Sequence, residues 1–198
     1  VFIFYPLWML KVIKAPKIEA EGIKKLIPVG IMHMLGHVFG VISFGAGAIS
    51  FTHIVKASEP LFTSALSAIF FKQFFAWPVY LSLMPVVAGV ALASLTELTF
   101  SWLSFGTAMG SNVCCAMRGV FAKNAMSEGD IGENLDALNL YNVLTCLSAI
   151  MLIPFALIME GKAFKPVWDA AVAGGVEPKT WIIHSALSGL YYYLYNAA

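Results

Sequence analysis

The segment Leu138–Met159, LNLYNVLTCLSAIMLIPFALIM, contains no charged residue. A transmembrane α-helix needs about 20 predominantly apolar residues, so this segment is long enough to cross a bilayer. The chain as a whole is 60% hydrophobic and 12% charged, with a mean hydropathy of +0.81, whereas soluble domains carry about 25% charged residues. Its apolar residues follow a helical pattern rather than the alternation of a membrane barrel. The sequence therefore predicts an all-α, polytopic transmembrane helix bundle.

Apolar segments divide the chain into expected membrane spans. We expect a single transmembrane domain over residues 1–198, with approximate spans 1–13, 23–49, 51–72, 78–97, 101–124, 138–159 and 180–198. Short connections place neighbouring helices antiparallel, which indicates a compact bundle. Residues 162–179 are expected to form a longer loop, with an apolar stripe typical of a short interfacial helix. Because the chain opens at Val1 inside an apolar run and its last run stops without a polar flank, we expect a fragment at both ends.

Charged residues inside the apolar spans are the main candidates for function. The stretch Ser50–Pro60, SFTHIVKASEP, places Lys56 three residues before Glu59. A charge at the centre of a membrane helix costs about 2.5–3.5 kcal/mol on insertion scales and indicates a functional site by default. Two structural alternatives stay open: Lys56 can extend to the membrane interface, or it can pair with Glu59 at i,i+3. Pro60 removes a backbone hydrogen bond and predicts a kink.

Arg118 is the second cation within an apolar span. It lies near the end of the stretch Gly110–Gly119, GSNVCCAMRG. If Arg118 faces the bundle, the interior holds two cations and one carboxylate, and the positive surplus predicts an anionic ligand. Arginine and lysine together are typical of phosphate sites, because the guanidinium recognises phosphate bidentately and the ammonium acts as a point charge. The alternative is that Arg118 extends to the interface, since Lys123 and a loop are near.

Histidines and glycines share the second expected span. His33 and His37 stand at i,i+4, but no carboxylates cluster with them, so we predict no metal site. For His33 we expect hydrogen bonding or helix packing. His37 has Gly36 and Gly40 beside it, and this open space makes it a candidate for polar contact with a solute. Small residues at helical spacing also predict close backbone contact between helices, because lipid offers no hydrophobic drive for association.

Several function classes are disfavoured by composition. A net charge of +1 does not indicate a nucleic-acid partner. The three cysteines, Cys114, Cys115 and Cys146, lie in apolar runs without metal-ligand spacing, which is typical of small buried hydrophobes. No nucleophile–base constellation or glycine-rich phosphate loop is present in the sequence, so we predict neither an enzyme nor a cofactor.

The chain resembles the plastid phosphate translocators of the drug/metabolite transporter superfamily. The stretches that carry the resemblance run in order along the chain: Gly36–Val38, Ser50–Pro60, Leu81–Val87, Ala93–Leu98, Ser111–Arg118, Glu160–Gly161 and Leu194–Asn196. The resemblance implies an inverted repeat of about five plus five helices, of which this chain corresponds to helices two to eight. It also implies a lipid-embedded antiporter of the plastid inner envelope that exchanges inorganic phosphate for a phosphorylated C3–C6 metabolite, such as a sugar phosphate or a C3-acid phosphate, by alternating access.

The resemblance also implies roles for individual residues. Lys56 corresponds to a phosphate-binding lysine, His37 and Tyr195 to polar contacts with the substrate, and Arg118 to an arginine that lines the same cavity. A second cationic pair of the phosphate site is expected beyond Ala198.

Two positions depart from the family pattern and bear on substrate choice. Gly40 stands where the triose-phosphate branch tends to carry a hydroxyl residue, and Cys115 stands where two branches carry an aromatic ring. Both are expected to reshape the substrate cavity, while Glu59 and Pro60 are expected to support Lys56 structurally. The alternatives left open are a nucleotide-sugar exchanger of the same superfamily, a membrane-embedded enzyme and a structural subunit.

Overall fold

The computed structural model describes residues 8–10, 14–127 and 131–197, with side chains as far as Leu194 in the last helix. Nearly all of these residues are helical, which confirms the all-α bundle. The elements in chain order are β1 (Lys17–Ile18), α1 (Ala20–Ala46), α2 (Ile49–Lys56), α3 (Glu59–Phe71), α4 (Trp77–Thr96), α5 (Trp102–Ser127), β2 (Gly132–Glu133), α6 (Ala137–Ala173) and α7 (Pro178–Ala197).

Four helical segments within the described residues are long and apolar enough to cross a membrane. They are Ala20–Ala46, Ile49–Phe71, Trp77–Thr96 and Ala137–Ala173. Many large apolar side chains of these helices are exposed, for example Leu81, Met84 and Ile158. Such a surface is expected of helices whose outer faces contact lipid rather than water.

Residues Ile18–Glu133 form one compact unit, in which α1 packs along α5. The two helices are antiparallel, since Gly36 of α1 faces Cys115 while Gly47 at its end faces Ser104. A Cβ atom at Gly47 would lie 2.7 Å from the Oγ atom of Ser104, so only glycine allows this approach. The prediction that small residues let these backbones come close is thus confirmed for α1.

A cluster of buried hydroxyls joins three helices of this unit. Ser43 of α1, Thr52 of α2 and Ser104 of α5 are fully buried. The Oγ atom of Ser43 lies 2.8 Å from Oγ1 of Thr52 and donates to the Ser104 carbonyl at 2.8 Å, while Ser104 Oγ donates to the Ser43 carbonyl at 3.0 Å. Beside the cluster, Phe51 and Val55 pack in the apolar core. These contacts hold α2 against the α1–α5 pair.

The expected span 51–72 is divided in the structure. Helix α2 ends at Lys56 and α3 begins at Glu59. Pro60 lies in the first turn of α3, where its missing N–H is tolerated. Proline has no N–H to donate to the Lys56 carbonyl. The hydrogen bonds at the break instead join residues three apart, from Ser58 N to Val55 O at 3.1 Å and from Leu61 N to Ser58 O at 3.0 Å. The predicted kink is therefore a break between two helices.

The described residues within Val1–Lys17 and Asn134–Ala198 form the second unit. Its helix α6 begins at an N-cap in which Asp136 accepts a hydrogen bond from the backbone of Asn139 at 2.8 Å. The Asn139 amide donates to the carbonyls of Lys14 at 2.9 Å and Asn134 at 2.8 Å, and its oxygen accepts from Trp8 Nε1 at 3.1 Å. The expected span 1–13 lies mostly outside the described residues.

Most of the predicted loop at 162–179 is helical, but as the end of α6 rather than as a separate short interfacial helix. Helix α6 continues through Pro154 and Pro166 to Ala173, a total of 37 residues. At 1.5 Å per residue this is about 55 Å, well beyond the hydrocarbon thickness of about 30 Å. Charged residues after the apolar core suggested a loop, but a helix that extends past the hydrocarbon core accommodates them. The turn instead lies near Gly175, whose φ of 94° favours glycine.

Candidate functional site

One face of α5 carries two candidate side chains, Cys115 and Arg118, and a serine that supports the site. Ser111, Cys115 and Arg118 follow one another at i, i+4 and i+7, so they share a face of the helix. This face meets the stripe of α1 that contains Gly36 and Gly40. The break between α2 and α3 brings Lys56 to the same place. The unit Ile18–Glu133 thus assembles residues that are far apart in sequence.

Lys56 is the last residue of α2, and its ammonium turns toward α5. Its Nζ atom donates to the Oγ of Ser111 at 2.7 Å, and Ser111 in turn donates to the Gly36 carbonyl at 2.7 Å. Lys56 is half-buried, while Ser111 is fully buried. The ammonium therefore points into the helix packing rather than outward along the helix.

Glu59 forms no ion pair with Lys56 within the part of the chain that the structure describes. The two residues belong to different helices, so the i,i+3 spacing of a continuous helix does not apply to them. Both line a cavity of about 580 Å³, together with Ala57, Pro60, Thr63, Ser64, Phe75, Val79 and Leu83. Lys56 thus forms no ion pair among the described residues, although Glu59 faces the same cavity.

Arg118 is held by a histidine on α1. Its Nη1 atom lies 2.9 Å from Nδ1 of His33. A guanidinium has donors only, so Nδ1 must accept, and the imidazole is neutral with its proton on Nε2. His33 is 3% exposed, and its ring meets that of His37 edge-on with centroids 4.7 Å apart. Arg118 therefore faces α1 rather than the loop that follows α5.

His37, Gly40 and Cys115 lie around these two cations. His37 is exposed and lies within electrostatic range of both Lys56 and Arg118. Cys115 is half-buried and lies within electrostatic range of the Glu59 carboxylate as well as of Arg118 and Lys56. At Gly40 a Cβ atom would have a single neighbour within 4 Å, the Ser111 Oγ at 3.7 Å, so open space remains there.

Asn112 supports the break from which Lys56 projects. It is fully buried, and its Nδ2 donates to the Val55 carbonyl at 2.9 Å and to Ser58 Oγ at 3.1 Å. Ser58 Oγ donates to the same carbonyl at 2.7 Å. Both ends of the break are therefore tied to α5 on either side of Lys56.

Sequence reasoning missed three supporting residues, Ser111, Asn112 and His33, as partners of the candidate charges. No role was predicted for Ser111 or Asn112, and His33 was expected to hydrogen-bond or pack without a named partner. The usable signal was the occurrence of small polar residues in the same apolar span as Arg118. Tyr195 lies in α7, in the second unit, and its side chain lies outside the described residues. No group of three metal-ligating side chains occurs in the described ranges.

The assembled site carries a net positive charge, because the two cations Lys56 and Arg118 outnumber the one nearby carboxylate, Glu59. Lys56 and Arg118 bind neutral acceptors, a hydroxyl oxygen and an imidazole nitrogen, which orient a cation without cancelling its charge. Cations in a membrane bundle normally pair or face a water-filled cavity. This arrangement suits an anion that can accept several charge-assisted hydrogen bonds.

Comparison with known proteins identifies the family. The family model described as Triose-phosphate Transporter family matches residues 1–198. The chain belongs to the Triose-phosphate Transporter family. This membership confirms the resemblance to plastid phosphate translocators.

Curated relatives of this transporter family cover nearly the whole chain. The chain is 40% identical to phosphoenolpyruvate/phosphate translocator 3, chloroplastic, of Oryza sativa subsp. japonica, over 98% of the chain and 49% of the relative. It is 37% identical to glucose-6-phosphate/phosphate translocator 2, chloroplastic, of Arabidopsis thaliana, over 96% of the chain and 47% of the relative. It is 40% identical to the triose phosphate/phosphate translocator, chloroplastic, of Pisum sativum, over 96% of the chain and 46% of the relative. The chain spans about half the length of these relatives.

Proposed function

We propose that this protein is a membrane antiporter that exchanges inorganic phosphate for a phosphorylated C3–C6 metabolite by alternating access, in the inner envelope of plastids. The observation that carries the proposal is the pair of cations, Lys56 at the end of α2 and Arg118 in α5, each oriented by a neutral acceptor. The names of the relatives support phosphate as one of the exchanged anions. They are all translocators, which also supports transport rather than catalysis.

In this proposal Lys56 binds the phosphate group. Its ammonium uses one donor on Ser111, which leaves two N–H groups for phosphate oxygens. Arg118 and His37, which lie near Lys56, supply further polar contacts, and the family resemblance assigns another to Tyr195. Gly40 and Cys115 set the room available to the metabolite. Glu59 and Pro60 support Lys56 by starting α3 directly after the break.

Exchange follows from the same charges. An empty site leaves a net positive charge inside the bundle, since two cations face one carboxylate, and closing such a site around no anion is costly. Phosphate or a phosphorylated metabolite neutralises them, so the loaded carrier is the form that reorients. Rocking of two halves around a midplane site is the mechanism expected of transporters built from inverted repeats.

The proposal is tested by counterflow with the full-length protein in liposomes. Preloaded phosphate should accelerate uptake of labelled phosphate, triose phosphate, phosphoenolpyruvate or glucose 6-phosphate. Lys56→Ala should lower exchange at least about tenfold, because a hydrogen bond to a charged group is worth about 1.5–3 kcal/mol. Lys72→Ala is the matched control, since Lys72 is exposed at the end of α3.

Two outcomes would contradict the proposal. If preloading accelerates uptake of none of these anions, the protein is not a phosphate exchanger. If Lys56→Ala exchanges as fast as Lys72→Ala, Lys56 lies outside the binding site.

A further inference from the structure

We infer that His33 and Ser111 are positioning residues, which hold Arg118 and Lys56 toward the transported anion without neutralising them. The inference deepens the proposed function and rests on it. Neither residue has to touch the substrate in this account. Each acts through the cation that it binds.

Ser111 can only accept a hydrogen bond from Lys56, because its hydroxyl proton is used elsewhere. Its single hydroxyl proton goes to the Gly36 carbonyl at 2.7 Å, so its oxygen offers only lone pairs to the Lys56 ammonium. The hydroxyl is fully buried between α1 and α5 and cannot turn toward solvent. It therefore fixes the ammonium at a defined point of α5.

His33 plays the same part for Arg118. Its Nδ1 accepts from Nη1 of Arg118, which leaves the other guanidinium N–H groups for bidentate contact with an anion. The ring is 3% exposed and is braced edge-on by His37. A buried ring so braced holds the guanidinium in one direction.

Both acceptors are neutral, and this matters for binding of the anion. An aspartate or glutamate at either position would also orient the cation, but it would compete with the substrate for its charge. A hydroxyl and a neutral imidazole avoid that competition. Because a positioning residue lowers the cost of ordering the cation on binding, its loss should weaken anion affinity more than the maximal exchange rate.

The test uses the full-length protein, purified and reconstituted, with phosphate as the probe. Ser111→Ala and His33→Leu should each raise the apparent KM for phosphate about tenfold, with a smaller change in the maximal rate. Ser111→Thr and His33→Gln keep an acceptor and should restore most of the affinity. Ser94→Ala and His53→Leu are matched controls, since Ser94 bonds within its own helix at 2.8 Å and His53 is exposed.

A second measurement separates positioning from a purely structural role. The thermal stabilisation that phosphate confers on the detergent-solubilised protein should shrink in Ser111→Ala and His33→Leu and return in the two conservative variants. The inference is overturned if both disruptive variants keep the wild-type KM and the wild-type phosphate-induced shift, even if they unfold at lower temperature. Absence of phosphate exchange in the wild-type protein would instead refute the proposed function itself.

Discussion

Cys115 lies on α5 one turn after Ser111 and one turn before Arg118. It is half-buried and within electrostatic range of both candidate cations. Its thiol can therefore report whether an anion occupies the space between them. Cys114 on the same helix is buried, and Cys146 belongs to the other unit.

We predict that an anionic methanethiosulfonate reagent labels Cys115 of the full-length protein and inhibits exchange. Phosphate at ten times its dissociation constant should slow the labelling about tenfold, because it occupies the same space. The Cys115→Ala variant should resist the inhibition, and it controls for reaction at other cysteines. Labelling at the same rate with and without phosphate would place Cys115 outside the anion site.

Among the elements, the break between α2 and α3 determines where Lys56 points. In a continuous helix the helical periodicity would fix the direction of the Lys56 side chain. Because α2 ends at Lys56, its ammonium instead turns to Ser111 of α5. Asn112 ties the break through Val55 and Ser58. The break is therefore a property of α5 as much as of Pro60.

Asn112→Ala should consequently destabilise the protein. Interhelical hydrogen bonds in membrane proteins average about 0.6 kcal/mol and reach about 1.7 kcal/mol, so losing two should cost about 1–3 kcal/mol. The check is the unfolding temperature of the solubilised protein without ligand. Thr107→Ala is the control on the same helix, since its hydroxyl bonds back to the Leu103 carbonyl at 2.6 Å. Equal unfolding temperatures for the two variants would show that the break does not depend on Asn112.

For the molecule as a whole, the net positive charge of the site bears on the exchange cycle proposed above. A carrier that must neutralise Lys56 and Arg118 before it reorients should return slowly when empty. The same charges accept any compact dianion, so they do not by themselves exclude a nucleotide sugar, whose base would need the room near Gly40 and Cys115.

We predict that phosphate leaves loaded liposomes containing the full-length protein at least about tenfold more slowly into anion-free medium than into medium with phosphate. A tenfold difference requires only about 1.4 kcal/mol between the empty and loaded barriers. The measurement is efflux of labelled phosphate under both conditions. Equal rates would mean that the empty site reorients freely, and exchange driven by external nucleotide sugar would replace the proposed substrate class.

Local sequence predicted the helices of this protein and its two candidate cations. Uninterrupted apolar length predicted the helices, because a backbone in lipid must satisfy its own hydrogen bonds. Lys56 and Arg118 were recognisable as candidates from the cost of burying charge. The predicted end of this helix was nevertheless wrong, because α6 continues to Ala173. Charged residues after an apolar run are equally compatible with a loop and with a helix that leaves the membrane.

Tertiary structure decided which neutral groups hold the charges. Lys56 and Ser111 are 55 residues apart, and Arg118 and His33 are 85 residues apart. Their pairing depends on the antiparallel register of α1 and α5 and on the break after Lys56. Sequence alone determined that this chain is an all-α membrane protein with cations in its spans. Only the packing of distant helices determined that neutral groups bind these cations, because a local pattern contains no information about which residue of another helix lies opposite.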